Sequence, residues 1–289
     1  MLSLRPDRPV DRWTVAVMRE VDTLAREMKL SYFLYGAMAR DILLWHVHGI
    51  KTGRATLDVD FAVAVKGWKQ FDEIKTRLTE TRKFKTANKM EQRLYYSPGL
   101  EGIEYPLDII PFGKVENPRH SIAWPTEKEL VMNVAGYDEA LAAIVEIEIE
   151  DQFVVPVISL PGLTVLKLFA WMDRGGGNAK DALDLATLLT NYGHAGNSNR
   201  LYDQEFELFE AAGFDISNAG SILLGKDVRS IAEPETLTKV LAIIDDPNQV
   251  VRLVTHMAPQ FRNDLDHNND PVVEAERLLE NFKRGLQKQ

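Results

Sequence analysis

The chain has 289 residues, 45% hydrophobic and 27% charged, the composition of a soluble globular protein with one large or two ordinary domains. Its 43 acidic side chains outnumber 34 basic ones for a net charge of −9, which excludes a global basic field that recruits nucleic acid; such a substrate needs a local patch or a grip on one end. There is no cysteine, so disulfides, thiolate metal sites and cysteine nucleophiles are excluded and a reducing compartment fits. The opening MLSLRPDRPVDRW lacks the apolar core of a signal peptide, and no apolar run reaches the roughly eighteen residues of a membrane helix, so a soluble, cytoplasmic protein without a membrane partner is expected.

In chain order, Asp11 to Met28 reads as an amphipathic helix, with Trp13, Val17, Val21, Leu24 and Met28 at spacings of three and four. Tyr32 to Tyr35 is a short aromatic run of strand type that ends at Gly36, and from Ala37 the pattern M-A-R-D-I-L-L-W-H turns helical. A strand, a glycine and a helix start can bring backbone N–H groups to an anion, although a lone glycine there is usually only a turn.

Arg54 to Val63, R-A-T-L-D-V-D-F-A-V, is the most unusual stretch. Residues i and i+2 of a strand share a face, so Asp58 and Asp60 project together while Leu57, Val59 and Phe61 take the other side. Two adjacent carboxylates repel and are costly to bury unpaired. They are tolerable at a wet strand end, the plain reading of a lone D-x-D, and become favourable with a divalent cation between them; Mg²⁺ prefers carboxylate and phosphate oxygens. Trp68 to Leu78 follows as a second amphipathic helix. Arg93 to Tyr96, the turn Ser97-Pro98-Gly99 and the run Ile103 to Ile110 then look antiparallel. Asp108 lies inside that last run between Leu107 and Ile109; one such acid is most often met by a local hydrogen bond, but three acids on two strands make a shared cation more plausible. Val145 to Glu150 alternates V-E-I-E-I-E, a half-exposed strand with a solvated acidic face.

Beyond Pro161-Gly162 the β pattern gives way to helical segments, Leu163–Arg174, Ala179–Tyr192, Gln204–Ala212, an ambiguous stretch to Ile231, Thr236–Ile244, Val250–Met257 and Pro271–Leu286. Lys167, Trp171 and Arg174 share one helix face, and Lys180, Asp181 and Asp184 open the next helix. Read alone these are interhelical salt bridges; read functionally, Lys167 with Arg174 or Lys180 forms a cationic side for a triphosphate. The glycines at 175–177 lack the lysine and hydroxyl ending of a phosphate loop and follow no strand, so they read as a helix–helix connection.

The strand ending at Gly36, the helix after it, T-L-D-V-D-F and the distal Asp108 resemble the nucleotidyltransferase superfamily of DNA polymerase β. L-x-x-L-K-L-x-A-W-x-D-R from Leu163 and K-D-A-L-D-L from Lys180 resemble the AbiEii/AbiGii-type toxin nucleotidyltransferases, which carry a lysine on one helix and K/R-D-x-x-D on the next. The likeness spans residues 30 to 192. It implies an α/β (α+β) fold, with a nucleotidyltransferase-like mixed β-sheet flanked by helices over residues 1–158 and a helical C-terminal domain over 159–289. The chain departs from the family at Gly36-Ala37-Met38-Ala39, where a small hydroxyl residue usually follows the glycine; backbone N–H groups at Gly36 and Ala37 then have to meet the phosphates unaided.

The resemblance also implies a chemistry. Asp58 and Asp60 would hold two Mg²⁺ (or Mn²⁺) ions, one of them riding on the β- and γ-phosphates of the NTP substrate, and Asp108 would complete the coordination of the second ion and help deprotonate an acceptor hydroxyl. Lys167, with Arg174 or Lys180, would neutralise phosphate charge, and Asp181 would orient that lysine or the acceptor. Arg40 and Arg54 are candidate phosphate contacts, or equally surface charges. His46 and His48 at i, i+2 of a helix do not share a face and carry no metal role. The acceptor is open between an RNA or tRNA end, a protein hydroxyl and a small molecule. A toxin role beside an antitoxin protein is implied by the resemblance only. Two other classes remain: a nucleotidyltransferase fold with weak turnover that binds nucleotide or a partner, and a metal phosphohydrolase, disfavoured by six histidines without ligand-like clustering.

Overall fold

The computed structural model describes every residue except 54–55, 89, 100–101, 127–128, 130, 175–178, 263–269 and 288–289. The chain forms two compact units, Met1–Ser159 and Leu160–Gln289. No described helix is long and apolar enough to cross a membrane.

The first unit is the expected mixed α/β assembly. It runs β1 (Leu2–Ser3), α1 (Arg12–Met28), β2 (Tyr32–Tyr35), α2 (Gly36–Asp41), β3 (Val59–Val65), α3 (Trp68–Glu80), β4 (Phe84–Thr86), β5 (Arg93–Tyr96), β6 (Tyr105–Gly113), β7 (Ser121–Ala123), β8 (Val131–Asn133), α4 (Tyr137–Ala142), β9 (Val145–Glu150) and β10 (Phe153–Val157). Helix α1 starts because the Asp11 carboxylate accepts the N–H groups of Trp13 and Thr14 at 2.9 and 3.0 Å, and it stops at Lys29, whose φ is 54°. Its buried face is Val17, Met18, Val21 and Leu24.

Eight strands form one sheet in the order β1-β9-β10-β2-β3-β6-β5-β4, and β7 and β8 pair separately. The centre is mixed: β2 and β3 are antiparallel, β3 and β6 parallel, β5 and β6 antiparallel. Val59, Phe61, Leu107 and Ile109 are fully buried, and the aromatic rings of Phe33, Phe112 and Tyr137 pack edge-on or tilted at centroid distances of 5.7 to 6.2 Å. This core holds the strand ends that carry the aspartates.

Three details differ from expectation. Strand β3 begins at Val59, so Asp58 precedes it and Leu57, expected inside, is 57% exposed. Strand β6 begins at Tyr105 rather than Ile103, which is exposed. The helix after Gly36 is α-helical only to Asp41 and continues as a π-helix over Ile42–Val47.

In the second unit α5 (Leu160–Asp173) and α6 (Lys180–Asn191) are followed by α7 (Ser198–Asp203), α8 (Phe206–Ala211), α9 (Ile216–Ile231), α10 (Pro234–Asp245), α11 (Pro247–Met257) and α12 (Pro271–Leu286). The ambiguous stretch is α9, a long buried helix whose two glycines and three serines weaken its sequence signal. Those small residues serve packing. A methyl group on Gly225 would lie 2.1 Å from the Phe282 carbonyl, and one on Gly285 would lie 1.9 Å from that of Ile222, so α9 and α12 touch backbone to backbone. Ser221 Oγ donates to the Leu278 carbonyl at 2.7 Å in the same seam.

Candidate active site

Strand register sets the aspartates. Asp60 on β3 lies directly opposite Asp108 on β6, Tyr35 on β2 lies opposite Asp60, and Arg93 on β5 lies opposite Asp108. Directly opposed residues point to one face, so Tyr35, Asp60, Asp108 and Arg93 form a row across four neighbouring strands. Parallel pairing places Asp60 and Asp108, 48 positions apart in sequence, at one level of the sheet.

Arg93 is the row's cation. Its Nε donates to Asp108 Oδ1 and its Nη2 to Asp108 Oδ2, both at 2.7 Å, a two-pronged charge-assisted pair. The same Nη2 is 3.9 Å from Asp58 Oδ2. Laid end to end, contacts of 3.9 and 2.7 Å cap the distance between the Asp58 and Asp108 oxygens at 6.6 Å. Asp58 is held by its own N–H, which donates to Thr56 Oγ1 at 3.1 Å, and its side chain is 51% exposed against 15% for Asp108. The bond to Asp108 raises the Arg93 pKa, with the charges of Asp108 and Asp58 adding to it against burial, so the guanidinium is a permanent cation.

Gly36 abuts the row from the β2 end. Its φ is +75°, and a Cβ there would lie 2.2 Å from Asp60 Oδ2. Only glycine lets the backbone pass so close to this carboxylate, and Ala37 follows half-buried on α2. Burial pushes the Tyr35 hydroxyl well up, and the neighbouring Tyr137, Asp60 and Asp108 push the same way; Tyr35 is thus a neutral wall of the row.

The other expected residues fall into three groups. Arg40 is not a surface charge: it is 1% exposed and donates to Asp41 Oδ1 through Nε and Nη2 at 2.9 and 2.7 Å, so its guanidinium faces the interior. Arg54 lies outside the described residues. Lys167, Arg174, Lys180 and Asp181 belong to the helical unit. There Lys167 Nζ is 3.1 Å from Asp181 Oδ1 and 2.6 Å from Asp184 Oδ2, and Arg174 Nη1 donates to Asp181 Oδ2 at 2.7 Å. Both aspartate side chains are 2% exposed, whereas Arg174 and Lys180 are exposed. His46 Nδ1 donates to the Arg8 carbonyl at 2.7 Å.

Asp58, Asp60 and Asp108 supply hard oxygen donors and an excess of negative charge, the chemistry Mg²⁺ and Mn²⁺ prefer. Among the described residues no three acidic or histidine side chains already surround one point, and Arg93 holds both oxygens of Asp108. The donor set suits an ion at Asp58 and Asp60 directly, and at Asp108 once that grip opens. Arg93 and Tyr35 were missed in the sequence. The hairpin register carries the signal for Arg93: with Tyr96 opposite Tyr105, counting back three pairs places Arg93 opposite Asp108.

A family model described as "Nucleotidyl transferase AbiEii toxin, Type IV TA system" matches residues 24–241. No curated protein matches the chain. Among solved structures, an antigenic nucleotidyltransferase-like protein from Paracoccidioides brasiliensis aligns at 14% identity and a TM-score of 0.44, over 68% of this chain and 91% of that one. The antibiotic-resistance factor ANT(2'')-Ia aligns at 13% identity and 0.39, over 71% and 99%. A Thermotoga maritima CCA-adding enzyme, solved with tRNA, aligns at 14% identity and 0.25, over 96% and 81%. These likenesses are weak, and the assignment rests on the family match. The chain belongs to the AbiEii nucleotidyl transferase toxin family of type IV toxin–antitoxin systems.

Proposed function

We propose that the protein moves an NMP from an NTP to an acceptor hydroxyl, at a site built on Asp58, Asp60 and Asp108, which would hold Mg²⁺ or Mn²⁺. The observation that carries this reading is the pairing of Asp60 with Asp108 across parallel strands, with Gly36 pressed against Asp60 and Asp58 within reach. Bound metal would supply charge stabilisation at the α-phosphorus and lower the pKa of the attacking hydroxyl. Asp58 and Asp60 hold and orient that charge. Asp108, freed from Arg93, accepts the acceptor's proton, and the oxygen then attacks in line as pyrophosphate leaves. Gly36 and Ala37 let the backbone come close to phosphate oxygens. In the helical unit the family resemblance assigns phosphate charge to Lys167, with Arg174 and Lys180, and the orientation of that lysine to Asp181; the 3.1 Å contact between Lys167 and Asp181 supports the second role.

The acceptor is an RNA or tRNA end, a protein hydroxyl or a small molecule, and the family match supports a toxin role with a cognate antitoxin. A second reading, a fold that binds nucleotide or partner with little turnover, is favoured by one observation, the Arg93 grip on Asp108. Incubation with each α-labelled NTP, Mg²⁺ and total RNA or protein separates the two. Transfer by the wild type, lost in Asp58→Ala and Asp108→Ala, is expected. Nucleotide binding with no labelled product under any NTP supports the second reading, and equal labelling by the variants overturns the site.

A further inference from the structure

Arg93 places a cation on the aspartate row, and its geometry is specific. An arginine that merely balanced surface charge would need one contact, but this one engages both oxygens of Asp108 at 2.7 Å and turns Nη2 toward Asp58 at 3.9 Å. Its side chain is 21% exposed, so the guanidinium sits in the gap between two carboxylates rather than in solvent over them. A guanidinium and a hard divalent ion seek the same carboxylate oxygens. The two compete for Asp108, because each N–H of the two-pronged pair takes a lone pair on an oxygen a metal would use, and two cations held at one carboxylate repel each other.

We propose that Arg93 is a built-in counter-cation that competes with the divalent ion for Asp108, so that the ion binds there only as the guanidinium lets go. This rests on the metal-site reading above. Without the ion, Arg93 offsets the repulsion that would push Asp58 and Asp108 apart and keeps the row assembled. With the ion, Asp108 changes partner, and the released guanidinium remains at the site's edge. Arg93 is therefore a positioning residue, one that sets how readily Asp108 becomes available.

The test is Mn²⁺ binding to the full chain, read by calorimetry and by the rise in Tm on Mn²⁺ addition, without nucleotide. Arg93→Gln should bind Mn²⁺ about tenfold or more tightly than the wild type, as expected when a charge-assisted bidentate pair no longer opposes the ion. It should melt lower without the ion and gain more Tm from it. Arg93→Lys retains the charge but gives up the two-pronged grip, and should fall between the two. If lysine instead matches the wild type, the charge alone acts through space and competition for the oxygens is overturned. Equal or weaker Mn²⁺ binding by Arg93→Gln, with circular dichroism unchanged, also overturns it. Should the glutamine variant not fold, the lysine variant decides alone. Asp58→Ala separates the two levels: if wild-type Mn²⁺ binding does not depend on Asp58, the metal-site reading fails and this inference with it. If that dependence holds while the Arg93 variants bind as the wild type does, only the inference fails.

Discussion

The two units each gather aspartates and cations, but in opposite ways. In the helical unit Asp181 and Asp184 are almost wholly buried and face Lys167 and Arg174, two carboxylates for two cations. In the first unit Asp58, Asp60 and Asp108 lie at half-exposed strand ends, and Arg93 bridges two of them. Burial demands that charge be balanced, since an unpaired buried ion is costly. A site that must receive a cation cannot be balanced in advance. Excess negative charge lies where water screens it, and the Arg93 guanidinium relieves part of it. The same residue types are charge-balanced in one unit and left partly open in the other.

Breaking the buried network should have the largest effect on stability. Asp184→Ala leaves Lys167 Nζ, now 2.6 Å from that carboxylate, with a buried charge short of a partner, an expected loss of about 3–5 kcal/mol in chemical denaturation of the helical unit. A loss below about 1 kcal/mol would mean that water reaches the lysine and the contrast is weaker than drawn.

Gly36→Ala tests the other region. The left-handed backbone costs an alanine about 1–2 kcal/mol, and its methyl group would meet Asp60 Oδ2 at 2.2 Å. Asp60 must move, so transfer activity should fall by at least about tenfold, with kcat affected more than folding. A fully active Gly36→Ala variant would remove Asp60 from the working site.

Alkaline pH probes both units. Burial first, and then hydrogen-bonded or nearby carboxylates, raise the hydroxyls of Tyr32 beside Asp22 and Tyr192 beside Asp227 far above the ordinary value of 10.0; Tyr35 is raised by burial and Tyr137 before Asp60. A phenol held neutral by the fold contributes its stability in full below the unfolded pKa and loses it as pH rises above about 10 toward the folded value. Melting temperature should be insensitive to these tyrosines from neutral pH to about 9 and fall steeply above about 10. Tyr32→Phe and Tyr192→Phe should each flatten that fall. The smallest effect belongs to Arg174→Ala: this side chain is 54% exposed, and its loss should cost no more than about 1 kcal/mol in denaturant unfolding.

Much of this arrangement was legible from local pattern. The periodicity of Val17, Val21 and Leu24 and the glycine after Tyr35 placed elements correctly, and the D-x-D marked the start of β3, because short-range sequence carries helix and strand periods and turn chemistry. What escaped depends on distant partners. Leu57 was assigned to the core because alternation was extended one residue pair beyond the point where pairing with β2 and β6 starts. Helix α9 was obscured because Gly225 answers to α12, more than fifty residues on, and Gly220 to Gly193. Arg93 looked like the polar start of an ordinary strand, and only the register across the β5–β6 hairpin opposes it to Asp108. Arg40 stayed open between a phosphate contact and a surface charge because nothing local shows that α2 is buried.

The central claim is that the half-exposed aspartate row carries the proposed transfer and costs little stability when altered. Asp58→Asn tests it most directly, with one preparation both melted and assayed for Mg²⁺-dependent transfer of label from an α-labelled NTP. The account predicts a melting temperature within about 4 °C of the wild type, consistent with an exposed carboxylate worth less than about 1 kcal/mol, together with a loss of transfer of about a hundredfold or more. Wild-type transfer by this variant, or a fall in stability matching that of Asp184→Ala, would contradict it.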